Sequence, residues 1–454
     1  MKRYHFAIVR WAVLGLAAWG IGTAGPVLAA DGGERLWDKP LRGVTGNLHL
    51  READIQNLAE SWGADSIRLM LMNGDIREAE PPYAIQEAQL AKIDTFLDWC
   101  EKYRVRCVLD VHETPGRVEW KGRKDKRLWE DYHFHDLLDE TWDVLAGRYK
   151  DRGDVIAGYD LLNEPNMEKQ IPGTPSDWNA LAKRLTRTIR RLDTRHAIIV
   201  EPIQWGGPDG FSSLEPTGDA RTIYSFHFYL PHAFTHQGVY AEADPLVYPG
   251  NVEGKGWDKQ QLEEAMAPAR DFQNRTGCEI YVGEFSVIRW APGDSGVRYL
   301  KDLLSLFEKN RWSWAYHAYR EWPGWSLEHE GPKAATRGPL PMTPRLALLQ
   351  SYWKNPQSQS HGQGKYRFNP FPDALEQTRG VHPRIFLNRQ RLLELREAIK
   401  TTHAPLWEEV RAQADRAVET GPPAYILDDG HSGPEQLWQR GVGNTMPVLA
   451  MAYG

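Results

Sequence analysis

Gly158-Tyr159-Asp160-Leu161-Leu162-Asn163-Glu164-Pro165-Asn166 decides how the rest of the chain is read. Its lead-in, Val155-Ile156-Ala157, is apolar, and the run is bounded by Gly and Pro, the pattern of a short buried strand. Pro165 lacks a backbone donor, so strand pairing stops there. Asn163 and Glu164 therefore fall at the carboxyl end of a buried strand, where parallel α/β enzymes carry their catalytic groups. Burial raises the pKa of a carboxyl group, which is the preparation a general acid needs. The alternative is a glutamate that merely caps the next helix.

Outward from this stretch, strand-like and helix-like segments alternate. Strands are predicted at 41–45, 66–71, 106–111, 155–162, 197–201, 222–228, 279–283 and 312–317. Helices are predicted at 52–62, 85–103, 134–149, 178–192, 259–274, 297–309 and 344–353. About eight such units predict an α/β fold of the (β/α)8 TIM-barrel type over residues 36–353. A doubly wound sheet is the alternative, but no Gly-x-Gly-x-x-Gly follows any of the strands.

The flanks differ in texture. Residues 1–30 read as a signal peptide: Lys2, Arg3 and Arg10 supply charge, Trp11 to Ile21 an apolar core, and Ala29 and Ala30 a small-residue cleavage site. That core is shorter than the ~20 residues a span requires. A secreted or periplasmic protein with no stable membrane span is expected. Residues 354–366 are polar and glycine-containing and read as a linker. Amphipathic helical patterns at 391–400 and 405–417 and an apolar one at 444–453 make 367–454 an incomplete all-helical domain.

Composition narrows the partners. A net charge of −6 carries no basic footprint, so nucleic acid is not expected. The 19 Trp and 18 Tyr suit either a large core or a cleft that stacks on sugar rings. Cys100, Cys107 and Cys278 are too few for a disulfide framework, though one bridge fits an exported protein. No Cys-x-x-Cys occurs, and the His232/His236 spacing follows a Pro and lacks the zincin glutamate. Neither a metal nor another cofactor is expected.

A second strand end mirrors the first. Glu279-Ile280-Tyr281-Val282-Gly283-Glu284-Phe285 carries Glu284 where the strand leaves the sheet. Strands of a barrel are parallel, so Glu164 and Glu284 both project at one face. Two facing carboxyl groups are what glycoside hydrolysis requires, with retention at a separation of about 5 to 5.5 Å and inversion at about 6.5 to 9.5 Å. Glu201-Pro202 and Asp110 also sit at strand ends. The first is expected to make a structural or subsite contact and the second to orient backbone or imidazole. Arg68 lies inside the apolar run Ile67-Arg68-Leu69-Met70-Leu71, and a buried guanidinium needs an acid, for which Glu284 is the candidate. His112 ends the third strand. Ser225-Phe226-His227-Phe228-Tyr229 places His227 and Tyr229 on one face of the sixth.

Taken together, the Arg68 strand, His112, Asn163-Glu164-Pro165, His227-Phe228-Tyr229 and Gly283-Glu284-Phe285 resemble glycoside hydrolase family 5, a cellulase family of retaining (β/α)8 enzymes. The resemblance implies Glu164 as acid/base and Glu284 as nucleophile of a double displacement. It implies that Asn163 binds the sugar 2-hydroxyl, that Tyr229 and Arg68 hold Glu284, and that His112 and His227 line the central subsite. The family usually ends its eighth strand in a Trp floor, whereas here His317 takes that place, leaving Trp322 or Trp325 to enter from the loop. Trp205 is a stacking or core residue. The implied substrate is a β-linked polysaccharide or oligosaccharide, a β-1,4-glucan cut internally, with mannan and xylan left open. A catalytically silent sugar-binding barrel and a hydrolase of uronate-bearing polymers are the alternatives.

The tail resembles the start of heparinase II/III-like proteins, an α/α toroid family, in His382-Pro383-Arg384-Ile385-Phe386-Leu387, His403-Ala404-Pro405-Leu406-Trp407 and Gln436-Leu437-Trp438-Gln439-Arg440. None of that family's catalytic Tyr and His positions can be assigned in it, so no lyase activity is expected.

Overall fold

The computed structural model describes residues 36–119, 124–242 and 244–354, with a few isolated positions between 400 and 412. The chain divides into two units, Met1–Gln363 and Gly364–Gly454, and the barrel is the first. The expected signal peptide (1–30), the linker beyond Lys354 and the helical domain (367–454) lie outside the described residues.

Eight strands close a parallel barrel: β1 (Arg42–Asn47), β2 (Ser66–Leu71), β3 (Arg106–Val111), β4 (Ile156–Asp160), β5 (Ala197–Val200), β6 (Thr222–Phe228), β7 (Ile280–Phe285) and β8 (Ser313–Tyr316). Each pairs in parallel with its neighbours, and β8 returns to β1 through Arg42–Trp314 and Val44–Tyr316. The (β/α)8 expectation therefore holds. Among the described residues no helix is long and apolar enough to cross a membrane.

Strand alternation sorts the side chains into two populations. Ile67, Leu69 and Leu71 of β2, Cys107, Leu109 and Val111 of β3, and Tyr224, Phe226 and Phe228 of β6 pack against the surrounding helices. The opposite faces fill the barrel. Its lower layers are apolar, with Val108, Ala157, Ile199, Ile223, Tyr281 and Ala315 in one cluster. Trp37 closes that end, donating Nε1–H to Ala157 O at 2.8 Å and meeting the Tyr281 ring edge-on. Toward the carboxyl ends the same faces turn polar at Thr45, Arg68, Asp110, Asp160 and His227, all buried. The site is the continuation of the barrel interior.

Three local departures from the periodicity have physical causes. The helix expected over 259–274 is two, Lys259–Ala265 and Ala267–Thr276, because Pro268 has no N–H to continue the ladder and suits a helix start. The helix at 52–62 is α-helical only over Glu52–Gln56 and widens into a π turn over Asn57–Trp62, stopping at Gly63. A hairpin, Gly250–Val252 with Lys255–Trp257, was not expected. Its turn residues Glu253 and Gly254 both have positive φ (53° and 83°), the conformation a two-residue hairpin loop needs.

Most of the aromatic surplus is core. Trp142, Trp178, Trp312 and Trp314 are fully buried. Cys100 and Cys107 are buried and all three cysteines are free.

Candidate active site

Beyond the end of β4 the backbone stays clamped between its neighbours. Leu161 N–H donates to Ile199 O and Asn163 N–H to Val111 O, both at 3.1 Å. Glu164 then turns with φ +43°, a left-handed conformation rare outside glycine and costly unless its surroundings impose it. Here Glu201 Oε2 accepts the Glu164 N–H at 2.9 Å, and Arg117 Nη2–H donates to the Glu164 carbonyl at 2.7 Å. Two buried side chains thus fix the direction in which the Glu164 carboxyl leaves the barrel.

At the centre stands Arg68, fully buried on β2. It donates to Asp160 Oδ2 from Nε (2.9 Å), to Glu284 Oε1 from Nη1 (2.9 Å), and to Glu201 Oε1 and Asn163 Oδ1 from Nη2 (2.8 and 3.0 Å). Asp110 Oδ2 lies 3.1 Å from Nη1. The expected Arg68–Glu284 contact is therefore one of several, and the guanidinium gathers acids from β3, β4, β5 and β7. A buried cation with too many acids selects which of them ionise. Burial, reinforced by Glu201 and Asp110, pushes the Asp160 carboxyl well above the usual range despite Arg68. Burial opposes ionisation of Glu201 too, but His227, Arg68 and the Glu164 N–H outweigh it and hold its pKa low.

Glu164 and Glu284 face one another across this cluster. One oxygen of each and a nitrogen of His227 lie within 4.8 Å of one another. His227 Nδ1 is 2.7 Å from Glu164 Oε1, its Nε2 is 3.1 Å from Glu201 Oε1, and Nδ1 is 3.8 Å from Glu284 Oε2. Burial works against charge on this imidazole, yet the carboxylates of Glu201 and Glu284 and its contacts with Glu164 and Glu201 carry its pKa well above the usual value. The imidazole fits because Gly283 lies beside it: a Cβ there would fall 2.9 Å from His227 Nε2. The Tyr229 hydroxyl donates to Glu284 Oε2 at 2.8 Å. Burial and the two glutamates raise its pKa far up, so it stays a donor. Burial would push Glu284 up as well, but His317, His227, Arg68 and His112 together hold it well below the usual carboxylate range. Both Glu284 oxygens already accept hydrogen bonds, from Arg68 and from Tyr229. The Glu164–His227–Glu284 trio is therefore built around a guanidinium and a phenol, a poor setting for a cation.

The remaining expected residues ring this centre. His112 Nδ1 is 2.7 Å from Asp110 Oδ2; burial opposes its charge, Asp110 favours it, and its pKa is raised. Asn163 is buried, its Oδ1 taken by Arg68. Trp205 follows β5 with φ +55°, is 41% exposed, and donates its backbone N–H to Pro165 O. With that exposure it is not a core residue. His317, beyond β8, places Nδ1 2.9 Å from Thr45 Oγ1 and 3.4 Å from Glu284 Oε2. Trp325 is the indole beside it, with ring centroids 6.1 Å apart, and Trp322 packs edge-on against Trp325 and Trp290 one step further out.

Sequence reading did not single out Asp160, Thr45, Arg117 or Glu321 for the site. Asp160 carried a usable signal, an ionisable residue inside an apolar strand just as Arg68 is, and the two side chains pair. The other three are recognised only once the barrel brings distant segments together. Glu201, expected to be structural or a subsite contact, is fully buried under Glu164 and His227.

The cellulase family, glycosyl hydrolase family 5, matches residues 34–321. Endoglucanase C of Acetivibrio thermocellus is 29% identical over 285 residues, 57% of this chain and 81% of that protein. Cellodextrinase A of Ruminococcus flavefaciens is 26% identical over 276 residues, 60% and 79% of the two chains. Among solved structures, an endoglucanase of the hyperthermophile Thermotoga maritima superposes with a TM-score of 0.54 at 22% identity, covering 68% of this chain and 96% of that one, which speaks for the fold. With the family matched across the whole barrel up to Glu321, the chain belongs to glycoside hydrolase family 5 and is a glycosidase.

Proposed function

We propose that this chain is an exported, endo-acting β-1,4-glucanase working by double displacement, with Glu284 as nucleophile and Glu164 as acid/base. The observation that carries the reading is the approach of the two carboxyl groups, with one oxygen of each within 4.8 Å. So near an approach suits direct attack better than a reaction that must seat a water between the two groups. Glu284, ionised and steadied by Arg68 and Tyr229, attacks the anomeric carbon. Glu164 gives the departing oxygen a proton, and His227 stands 2.7 Å away as its proton partner. Water then attacks the glycosyl-enzyme as Glu164 takes its proton. Asn163 is positioned to meet the 2-hydroxyl, His112 the reacting sugar, and Trp205 a neighbouring one. The endoglucanase and cellodextrinase names of the relatives favour a glucan. The charged run and small-residue site at 1–30 favour export. Residues 367–454 are, on this reading, the opening of a heparinase II/III-like toroid.

The test is the stereochemistry of cleavage followed by NMR, together with E284Q. The β-anomer should form first from cellopentaose, and E284Q should lose about 10³-fold or more in turnover of an aryl β-cellobioside. An α-anomer formed first contradicts the double displacement, and no turnover by the wild type favours a sugar-binding barrel.

A further inference from the structure

The end of β8 is where this chain parts from its family's usual aromatic floor, and the replacement is an organised polar group. His317 Nδ1 faces the nucleophile, 3.4 Å from Glu284 Oε2, the same oxygen that accepts the Tyr229 hydroxyl at 2.8 Å. On the opposite edge of the ring, Nε2 is 3.4 Å from Glu321 Oε2, four residues further along the loop. Glu321 Oε2 is itself buried and makes no hydrogen bond of good geometry, so the imidazole is the polar group it answers. Thr45 Oγ1, 2.9 Å from Nδ1, pins the ring from β1. The other faces carry the Tyr229 ring (6.3 Å) and the Trp325 ring (6.1 Å). His236, packed against both, is brought down to about 3 by burial and by its neighbours His232 and His317. It therefore stays neutral and does not compete. The His317 ring thus stands between Glu284 and Glu321, one nitrogen toward each.

We propose that Glu321 and His317 form a positioning pair that steadies the Glu284 carboxylate as it departs from the sugar in the second half of the reaction. The inference rests on the two-step reading above. In that half the oxygen of water bonds to the anomeric carbon while the bond from that carbon to Glu284 breaks. The electron pair stays on Glu284 and the water's proton passes to Glu164. Negative charge returns to Glu284, so a polar ring held in place beside its Oε2 lowers the barrier. In the first half the same charge is consumed, so the pair gives no acceleration there. The two halves separate the pair from a merely structural contact.

The experiment uses the full chain and 2,4-dinitrophenyl β-cellobioside, whose leaving group makes the first half fast. E321Q should lower kcat and KM together by about tenfold, leave kcat/KM within about twofold, and enlarge the burst of dinitrophenol. Quenched samples should show a glycosyl adduct on Glu284 by mass spectrometry. H317Q should do the same, and it carries the test if E321Q does not fold. A kcat that is unchanged, or one that falls at constant KM without the adduct, overturns the pair while leaving the hydrolase reading in place. A wild-type chain inactive on every β-glycoside overturns both.

Discussion

Glu201 Oε2 accepts the backbone N–H of Glu164 at 2.9 Å, while its Oε1 takes Arg68 Nη2 at 2.8 Å and lies 3.1 Å from His227. One buried carboxylate therefore holds the acid/base candidate, its imidazole neighbour and the central guanidinium. Nothing larger than glycine fits over it, because a Cβ on Gly206 would sit 2.6 Å from Oε2. E201A leaves Arg68 and His227 short of a counter-charge and should cost about 3 to 5 kcal/mol, read by urea unfolding. E201Q, which keeps the shape, should lose less stability but still depress kcat by freeing Glu164.

Asp160 and Glu201 flank the same guanidinium and should respond oppositely to amide substitution. Burial pushes the Asp160 carboxyl well above its usual range despite Arg68. D160N keeps the shape of a group whose charge burial already opposes, so it should cost less unfolding free energy at pH 7 than E201A, about 1 kcal/mol. Between the two values the folded chain holds the Asp160 proton where the unfolded chain has lost it. Asp160 therefore withdraws stability as pH rises from the ordinary carboxyl value toward its raised one, and D160N should remove that slope.

His227 and Glu284 bound the pH range from its two sides. The His227 pKa is raised, so its contribution is complete below the ordinary histidine value and fades as pH climbs through the raised one. The Glu284 pKa is lowered, so its contribution is present above the ordinary carboxyl value and is lost as pH falls through the lowered one. Melting temperature against pH should fall on the alkaline side in wild type and flatten there in H227N. It should fall on the acid side in wild type and less so in E284Q.

Trp205, exposed beside Pro165, should matter to substrate and little to the fold. W205A should leave the melting temperature within about 2 °C, as surface changes do. KM for cello-oligosaccharides should rise roughly fivefold, equivalent to losing about 1 kcal/mol of ring stacking. Unchanged KM across chain lengths would remove Trp205 from the sugar path.

Dialysis against EDTA should leave kcat unaltered, since the double displacement is assigned to carboxyl and imidazole groups alone.

The barrel was legible because its signals are local. Pro165 ends an apolar strand, and Arg68 interrupts another in a way only a site or an ion pair explains. The partners of Arg68 were harder, since β2, β3, β4, β5 and β7 meet there only when the register of the closed sheet is known. Glu321 gave no sign in the chain, being one acid in a loop, and its meaning comes entirely from His317 across from it. The hairpin at 250–257 was missed because its strands are three residues each, too short for alternation to register.

Trp37, which bonds to Ala157 O, belongs to no strand. The cylinder is corked at its lower mouth by a residue that the closed sheet does not itself supply. Proteolytic trimming past this position would leave every strand and every acid in place, yet water could enter from beneath. Such a shortened enzyme should lose heat resistance before it loses affinity for its substrate.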